Sequence, residues 1–183
     1  MAMPLPTPDS WTTNLLAALP DDGQRYELVH GTLLVSPSPS ARHQWIVLAL
    51  ACDLRNWLQG QALGEVYVAP ATLPVDQTTE VQPDVFVSPR PGPPTGPWQD
   101  LGRPLLVVEV ASPSTVRQDR EQKRRLYQRL GIPEYWIVDP DSRTVEVWTP
   151  TDRVPRVERE LLRWHPAGAP GPWEIEVARL LQG

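Results

Sequence analysis

Three positions in this chain combine residue type and setting in a way that suits ionic chemistry. Glu109 lies inside an apolar run, Leu105-Leu106-Val107-Val108-Glu109-Val110. An acid in such a place is costly unless it is paired, protonated or bound to a metal. Asp84 follows Pro83 at the head of a second apolar run, Val85-Phe86-Val87. Lys123 is the only lysine among 17 basic residues. Arginine is a planar fork and lysine a compact point charge, so a chain that otherwise chose arginine kept a point charge here. Two carboxylates on adjacent strands can hold a hard divalent cation such as Mg2+, with waters and phosphate oxygens filling the remaining positions. Such an ion lowers the pKa of a bound water and neutralises charge building on phosphorus. An ammonium nearby orients the attacking water or stabilises the same charge. One cysteine and three scattered histidines offer nothing to a soft metal.

The elements that must position these groups are legible in order. Asp9 or Ser10 can cap a short helix through Leu19, which Pro20 stops. Tyr26–Val29 and Thr32–Val35 read as a hairpin about His30-Gly31. Ser40 caps a helix to about Leu58, with Trp45, Leu48, Ala49, Cys52 and Leu58 as its apolar face and Gly60 at its end. Strand material follows at 64–69, 71–75 and 81–87, the last with Asp84 at its first paired position. Ser88 to Pro97 is a proline-rich exposed loop or flap. The Glu109 run is β-branched and near-continuous, a central strand covered on both faces. A helix from Val116 to about Leu130 then places Val116, Lys123, Leu126, Tyr127 and Leu130 on one inner stripe. Strands at 134–139 and 144–148 form a second hairpin. Weaker strands near 154–162 and 173–177 and a helical stub at 177–181 close the chain. The pattern is a mixed α/β or α+β sandwich with a central helix pair.

Length and composition bound the reading. At 183 residues the chain suits one domain with a real core. Hydrophobic content of 40% and charged content of 21% are those of an ordinary globular protein. No apolar run is long enough for a membrane span, and the N-terminus lacks the pattern of a signal peptide, so the cytoplasm is the expected compartment. Cys52, the single cysteine, cannot form an internal disulfide. The net charge of −5 argues against a nucleic-acid binder held mainly by bulk charge. From Arg117 to Arg129, however, six basic residues face two acids, either a solvated helix face or an edge that contacts phosphates.

Pro83-Asp84, Glu109 and a downstream Lys123 together resemble the PD-(D/E)XK nuclease superfamily. More closely, the chain resembles the Uma-type restriction endonuclease family. The matching segments are RYELVHG (25–31), the helix begun near His43, QPDVFV (82–87), LLVVEVASPST (105–115) and DREQKRRLYQRLGIPEYWIVDP (119–140). They run in family order over about Tyr26 to Trp148. The resemblance implies a restriction-endonuclease-like fold, a mixed β-sheet flanked by helices with extra hairpins, over one domain with its core at about 25–150. It also implies hydrolysis of DNA phosphodiester bonds dependent on Mg2+, or on Mn2+ in its place. Asp84 and Glu109 would be metal ligands with the carbonyl of Val110, Lys123 the catalytic lysine, and Glu27 an extra acid on an early element. His43, Tyr127 and Arg120 are candidate accessory groups. The usual lysine of the superfamily sits two residues after the acid, where this chain has Ala111, so the resemblance requires the lysine to come from the following helix. Many such nucleases act as dimers because a duplex has two strands related by a dyad, and a homodimer is expected. Two other readings stay open: a non-catalytic nucleic-acid or protein-binding module that kept the fold, and a hydrolase of smaller phosphoesters.

Overall fold

A computed structural model describes residues 10–89 and 96–182. It opens on helix α1 (Thr13–Leu16), a single turn capped by the Thr12 hydroxyl, which accepts from the Leu15 N–H. The helix expected from Asp9 or Ser10 to Leu19 is thus shortened at both ends, and Asp9 lies outside the described residues. The reason is Trp11, which is buried and whose N–H donates to the Gly31 carbonyl, tying the chain to the next turn before a helix can begin. That turn joins β1 (Arg25–Val29) to β2 (Thr32–Ser36) with Val29 opposite Thr32. His30 and Gly31 both carry positive φ, 49° and 75°, as a tight two-residue hairpin loop demands.

Ser40 caps α2 (Ala41–Leu58) by accepting from the His43 N–H. Its buried face is Ile46, Val47, Leu50, Leu54 and Leu58, which shares only Leu58 with the expected stripe, while Ala49 packs partly against the core. Trp45 and Leu48 are exposed, at 54% and 60%, and Cys52 is exposed as well. The helix is apolar on more than one side, and the stripe built of branched aliphatic residues fills the core.

After β3 (Glu65–Val68) and β4 (Leu73–Asp76), the single strand expected at 81–87 is two. β5 (Thr79–Val81) pairs with β1 and β4, whereas β6 (Val85–Ser88) pairs with β3 and with β7 (Leu106–Val110). Pro83 has no N–H to donate to a ladder, and the chain changes sheets there. Asp84 therefore sits at the crossing point, one residue before β6. The core of the expected proline-rich loop, residues 90–95, lies outside the described residues.

The helix expected from Val116 is a continuous helical run of three parts: α3 (Val116–Gln118), a π-helical turn over Asp119–Lys123, and α4 (Arg124–Arg129). Gly131, at φ 65°, ends it. The run is the crossover that makes β7 and β8 (Glu134–Asp139) parallel neighbours. β9 (Thr144–Trp148) returns beside β8, β10 (Arg156–Glu158) forms the sheet edge, and β11 (Leu161–Trp164), β12 (Trp173–Glu176) and α5 (Val177–Leu181) close the chain. The weak strand expected at 154–162 thus divides between β10 and β11.

The main sheet has six strands in the order β10-β9-β8-β7-β6-β3, and a four-stranded sheet runs β2-β1-β5-β4. Side chains alternate across the main sheet. On one face Val85, Val87, Leu106, Val108, Val110, Trp136 and Val138 pack with α2, α5 and the β11–β12 pair. On the other, Phe86, Val107, Tyr135 and Ile137 pack with Leu126 and Tyr127 and with Val29, Leu34, Leu73 and Val81 of the smaller sheet. By that alternation Asp84 and Glu109 fall on the second face, between the two sheets. Among the described residues no helix is long and apolar enough to cross a membrane.

Trp136 is fully buried, stacked on Trp173 with ring centroids 5.8 Å apart and edge-on to Trp164 at 6.5 Å. Trp136→Ala should destabilise the protein by about 3–5 kcal/mol, read as a fall in the urea midpoint with an unchanged slope.

Candidate active site

The site grows from the register of β6 on β7. Val85 lies opposite Val108 in this antiparallel pair. One step outward, Asp84 lies opposite Glu109, and directly opposed residues project to the same face. The Asp84 carboxylate folds back on β7, where its Oδ2 accepts the Val110 N–H at 2.8 Å. β1 brings Glu27 over the same face from the smaller sheet. Its Oε1 accepts the Gln82 N–H at 2.8 Å, fixing it to the crossing point between sheets.

Lys123 enters from the π turn. It is 1% exposed, and its Nζ lies 2.8 Å from Glu27 Oε2 and 2.9 Å from Glu109 Oε1. The Tyr127 hydroxyl, one helical turn on, donates to the same Glu109 oxygen at 3.1 Å. The expected inward lysine and its neighbouring tyrosine thus both reach Glu109. His43, in the first turn of α2, places Nε2 3.0 Å from Asp84 Oδ2. A carboxylate can only accept, so His43 presents its Nε2–H; its Nδ1 is buried and has no partner among the described residues. The structure therefore brings Glu27, Asp84, Glu109, Lys123, His43 and Tyr127 into one cluster. Arg120 stands outside it, engaged instead by Asp139 at 3.0 Å and Glu146 at 2.7 Å on the β8–β9 hairpin. Those two ion pairs hold it on that hairpin, apart from the cluster.

Two members were missed. Arg25 donates to Asp84 Oδ1 at 2.6 Å and lies 3.6 Å from Glu27. Asp119 is buried, with Oδ1 4.0 Å from Lys123 Nζ. Both carried a signal: Arg25 stands two residues from Glu27 on a strand, and Asp119 four residues from Lys123 on a helix, so each shares a face with an identified residue.

The electrostatics follow from burial and from arithmetic of sign. Four buried carboxylates, Glu27, Asp84, Glu109 and Asp119, meet two permanent cations, Arg25 and Lys123. Burial alone would raise the Asp84 carboxyl, but the hydrogen bond from His43 and the charge of Arg25 hold it well below the ordinary range. Burial would likewise discharge Lys123, yet Glu109, Glu27 and Asp119 raise it, so it remains an ammonium. Glu109 carries the strain: burial pushes it well up against the pull of Lys123, and Asp84, Asp119 and Glu27 add repulsion. An excess of hard oxygen donors over cations is the donor chemistry that suits a divalent ion of the Mg2+ class. Among the described residues no three acidic, histidine or cysteine side chains converge as a ready cage, so Asp84 and Glu109 would share the ion with main-chain or substrate oxygens. A cavity of about 710 Å3 opens beside Asp84 and His43.

Comparison with known proteins agrees with this architecture. A family model described as "Uma2: Putative restriction endonuclease" matches residues 14–178. Among solved structures, a putative nuclease belonging to DUF820 from Anabaena variabilis superposes with a TM-score of 0.72 at 18% identity, over 93% of this chain and 97% of its own. At that identity the likeness shows the fold alone. No curated protein matches.

Asp119 offers a test of the buried cluster. Burial raises its carboxyl from 3.8 to about 6, partly opposed by Lys123 and Thr115. Between those values the folded chain binds more protons at this position than the unfolded chain, so the contribution present below about pH 3.8 is lost as pH rises through about 6. Asp119→Asn removes that loss. Urea unfolding at pH 4 and pH 7 should show the wild-type-minus-variant stability difference falling by about 1–3 kcal/mol. A difference that stays constant or grows would contradict the assignment.

Proposed function

The chain belongs to the Uma2 restriction endonuclease family, and from that premise we propose that it is a metal-dependent endonuclease that hydrolyses DNA phosphodiester bonds. The whole chain would form one restriction-endonuclease-like domain. Asp84, Glu109 and the carbonyl of Val110 would hold Mg2+, with Mn2+ able to replace it. When bound, the ion supplies Lewis acidity and a lowered water pKa.

The chain's own residues do the positioning. Glu27 and Glu109 hold the Lys123 ammonium at 2.8 and 2.9 Å, which keeps a positive charge buried behind the acids, where it would stabilise charge growing on a phosphate held at Asp84 and Glu109. Tyr127 fixes Glu109 through its hydroxyl. His43 and the Val110 N–H lock the rotamer of Asp84. Water is excluded from the lysine side of the cluster, since Glu27, Glu109 and Lys123 are each about 1% exposed; such burial strengthens every interaction among them.

The observation that carries this reading is the single lysine, buried against an acid opposite Asp84. One observation favours a second reading. Both oxygens of Asp84 are already engaged, by Arg25 on one side and by His43 and Val110 on the other. That closed arrangement suits a structural ion network in a binding module that lost catalysis.

Supercoiled plasmid separates the two. The nuclease reading expects nicking or linearisation with Mg2+ or Mn2+, none with EDTA, and a loss of about 100-fold or more in Asp84→Asn. Calorimetry should show a Mg2+ site in the wild type that weakens in Asp84→Asn and in Glu109→Gln. Cleavage that persists in Asp84→Asn would overturn the role given to this acid, whereas no metal-dependent cleavage in the wild type, or Mg2+ binding indifferent to both acids, would favour the second reading.

A further inference from the structure

Resting on the nuclease reading above, we propose that the cavity beside Asp84 and His43 binds an unpaired segment of DNA, one or two single-stranded or extruded nucleotides, and not the double helix. The first argument is size. At about 710 Å3 the cavity belongs to the class that encloses a small molecule. A duplex, whose major groove alone is about 12 Å wide, cannot enter such a space, whereas a nucleotide taken out of the stack can.

The second argument is charge. Among the described residues lining the cavity the only permanent cation is Arg25, and it is committed to Asp84; Glu80 and Asp84 supply negative charge. A duplex, held mainly through two phosphate backbones, needs ranks of Lys and Arg, whereas a short unpaired segment presents fewer phosphates and gains part of its affinity from base stacking. None of the six basic residues from Arg117 to Arg129 lines the cavity. Arg117 pairs with Glu121, Arg120 with Asp139 and Glu146, and Arg124 lies over Trp148. The net charge of −5 adds no long-range pull on a duplex.

The third argument is what the walls do offer. Tyr26 gives an aromatic face, and Gln44 and Gln82 give amides that both donate and accept. Two Ser-Pro loops, 36–40 and 112–115, add hydroxyls on a backbone stiffened by proline. An aromatic platform flanked by amides is the base-binding part of single-strand recognition, where a base stacks and its edges meet amides. Asp84 lies on the same wall, so a nucleotide stacked on Tyr26 would bring its phosphate to the acid cluster.

The test is binding by fluorescence anisotropy in EDTA, where no cleavage occurs. The probe is a labelled mixed-sequence oligonucleotide, alone or paired with its complement. The single strand should bind at least about tenfold tighter than the duplex. Tyr26→Leu should weaken single-strand binding about 5- to 100-fold and leave duplex binding unchanged. Tyr26 also packs near Trp11 and Leu28, so Gln44→Ala, on the exposed surface of α2, serves as the second variant, with an expected weakening of about threefold or more. Equal or tighter binding of the duplex, or unchanged single-strand affinity in both variants, would overturn the proposal. Single-strand-selective binding without metal-dependent cleavage would uphold it and count against the nuclease reading alone. Metal-dependent cleavage of duplex by a protein with no single-strand preference would do the reverse.

Discussion

An ammonium group taken wholly out of water is the constraint on which this structure depends. Lys123 is about as buried as the tryptophans of the core, and a charge in that position survives only with partners at hydrogen-bond distance. Glu27 and Glu109 are those partners, and they come from different sheets: Glu27 from β1, Glu109 from β7. The lysine therefore bridges the two sheets at the point where their acids meet. Removing one member leaves an opposite charge buried and unpaired, so the cluster specifies the relative placement of three elements as well as supplying chemistry.

Delivery of that ammonium relies on two local departures from regular structure. The π turn over Asp119–Lys123 winds the helix wide for one turn, and both of its end residues are buried. Turns of this kind recur at functional sites. The second departure is at Pro83, where the chain leaves one sheet for the other. Asp84 falls in the gap between the two ladders. Its carbonyl accepts the Ala69 N–H, and its side chain turns back onto the neighbouring strand and onto His43. A regular helix and an unbroken strand would have carried the same residues to different places.

Much of this was legible in the sequence. The apolar run around Glu109 read as a central strand because it is near-continuous and rich in β-branched residues, and all five residues of β7 are buried. The hairpin at His30-Gly31 followed from its two-residue turn, and the inward lysine from helical spacing with Leu126 and Tyr127. What escaped was set by tertiary context. α2 is apolar on several sides, so periodicity alone did not choose between the Trp45–Leu48–Cys52 side and the Ile46–Leu50–Leu54 side. The division of 81–87 between two sheets required knowing that β5 and β6 have different partners. Arg120 looked available because helix-surface arginines usually are, and only the position of the β8–β9 hairpin shows it bound to Asp139 and Glu146.

Lys123 and Glu109 act as one coupled unit, and a double-mutant cycle on stability measures that coupling directly. Lys123→Met alone should cost about 3–5 kcal/mol, because it leaves Glu27 and Glu109 buried without their cation. Combined with Glu109→Gln, the total should fall short of the sum of the single changes by about 0.5–3 kcal/mol. Strict additivity of the two substitutions would mean that the lysine and the acid do not depend on each other, and the cluster described above would lose its organising interaction.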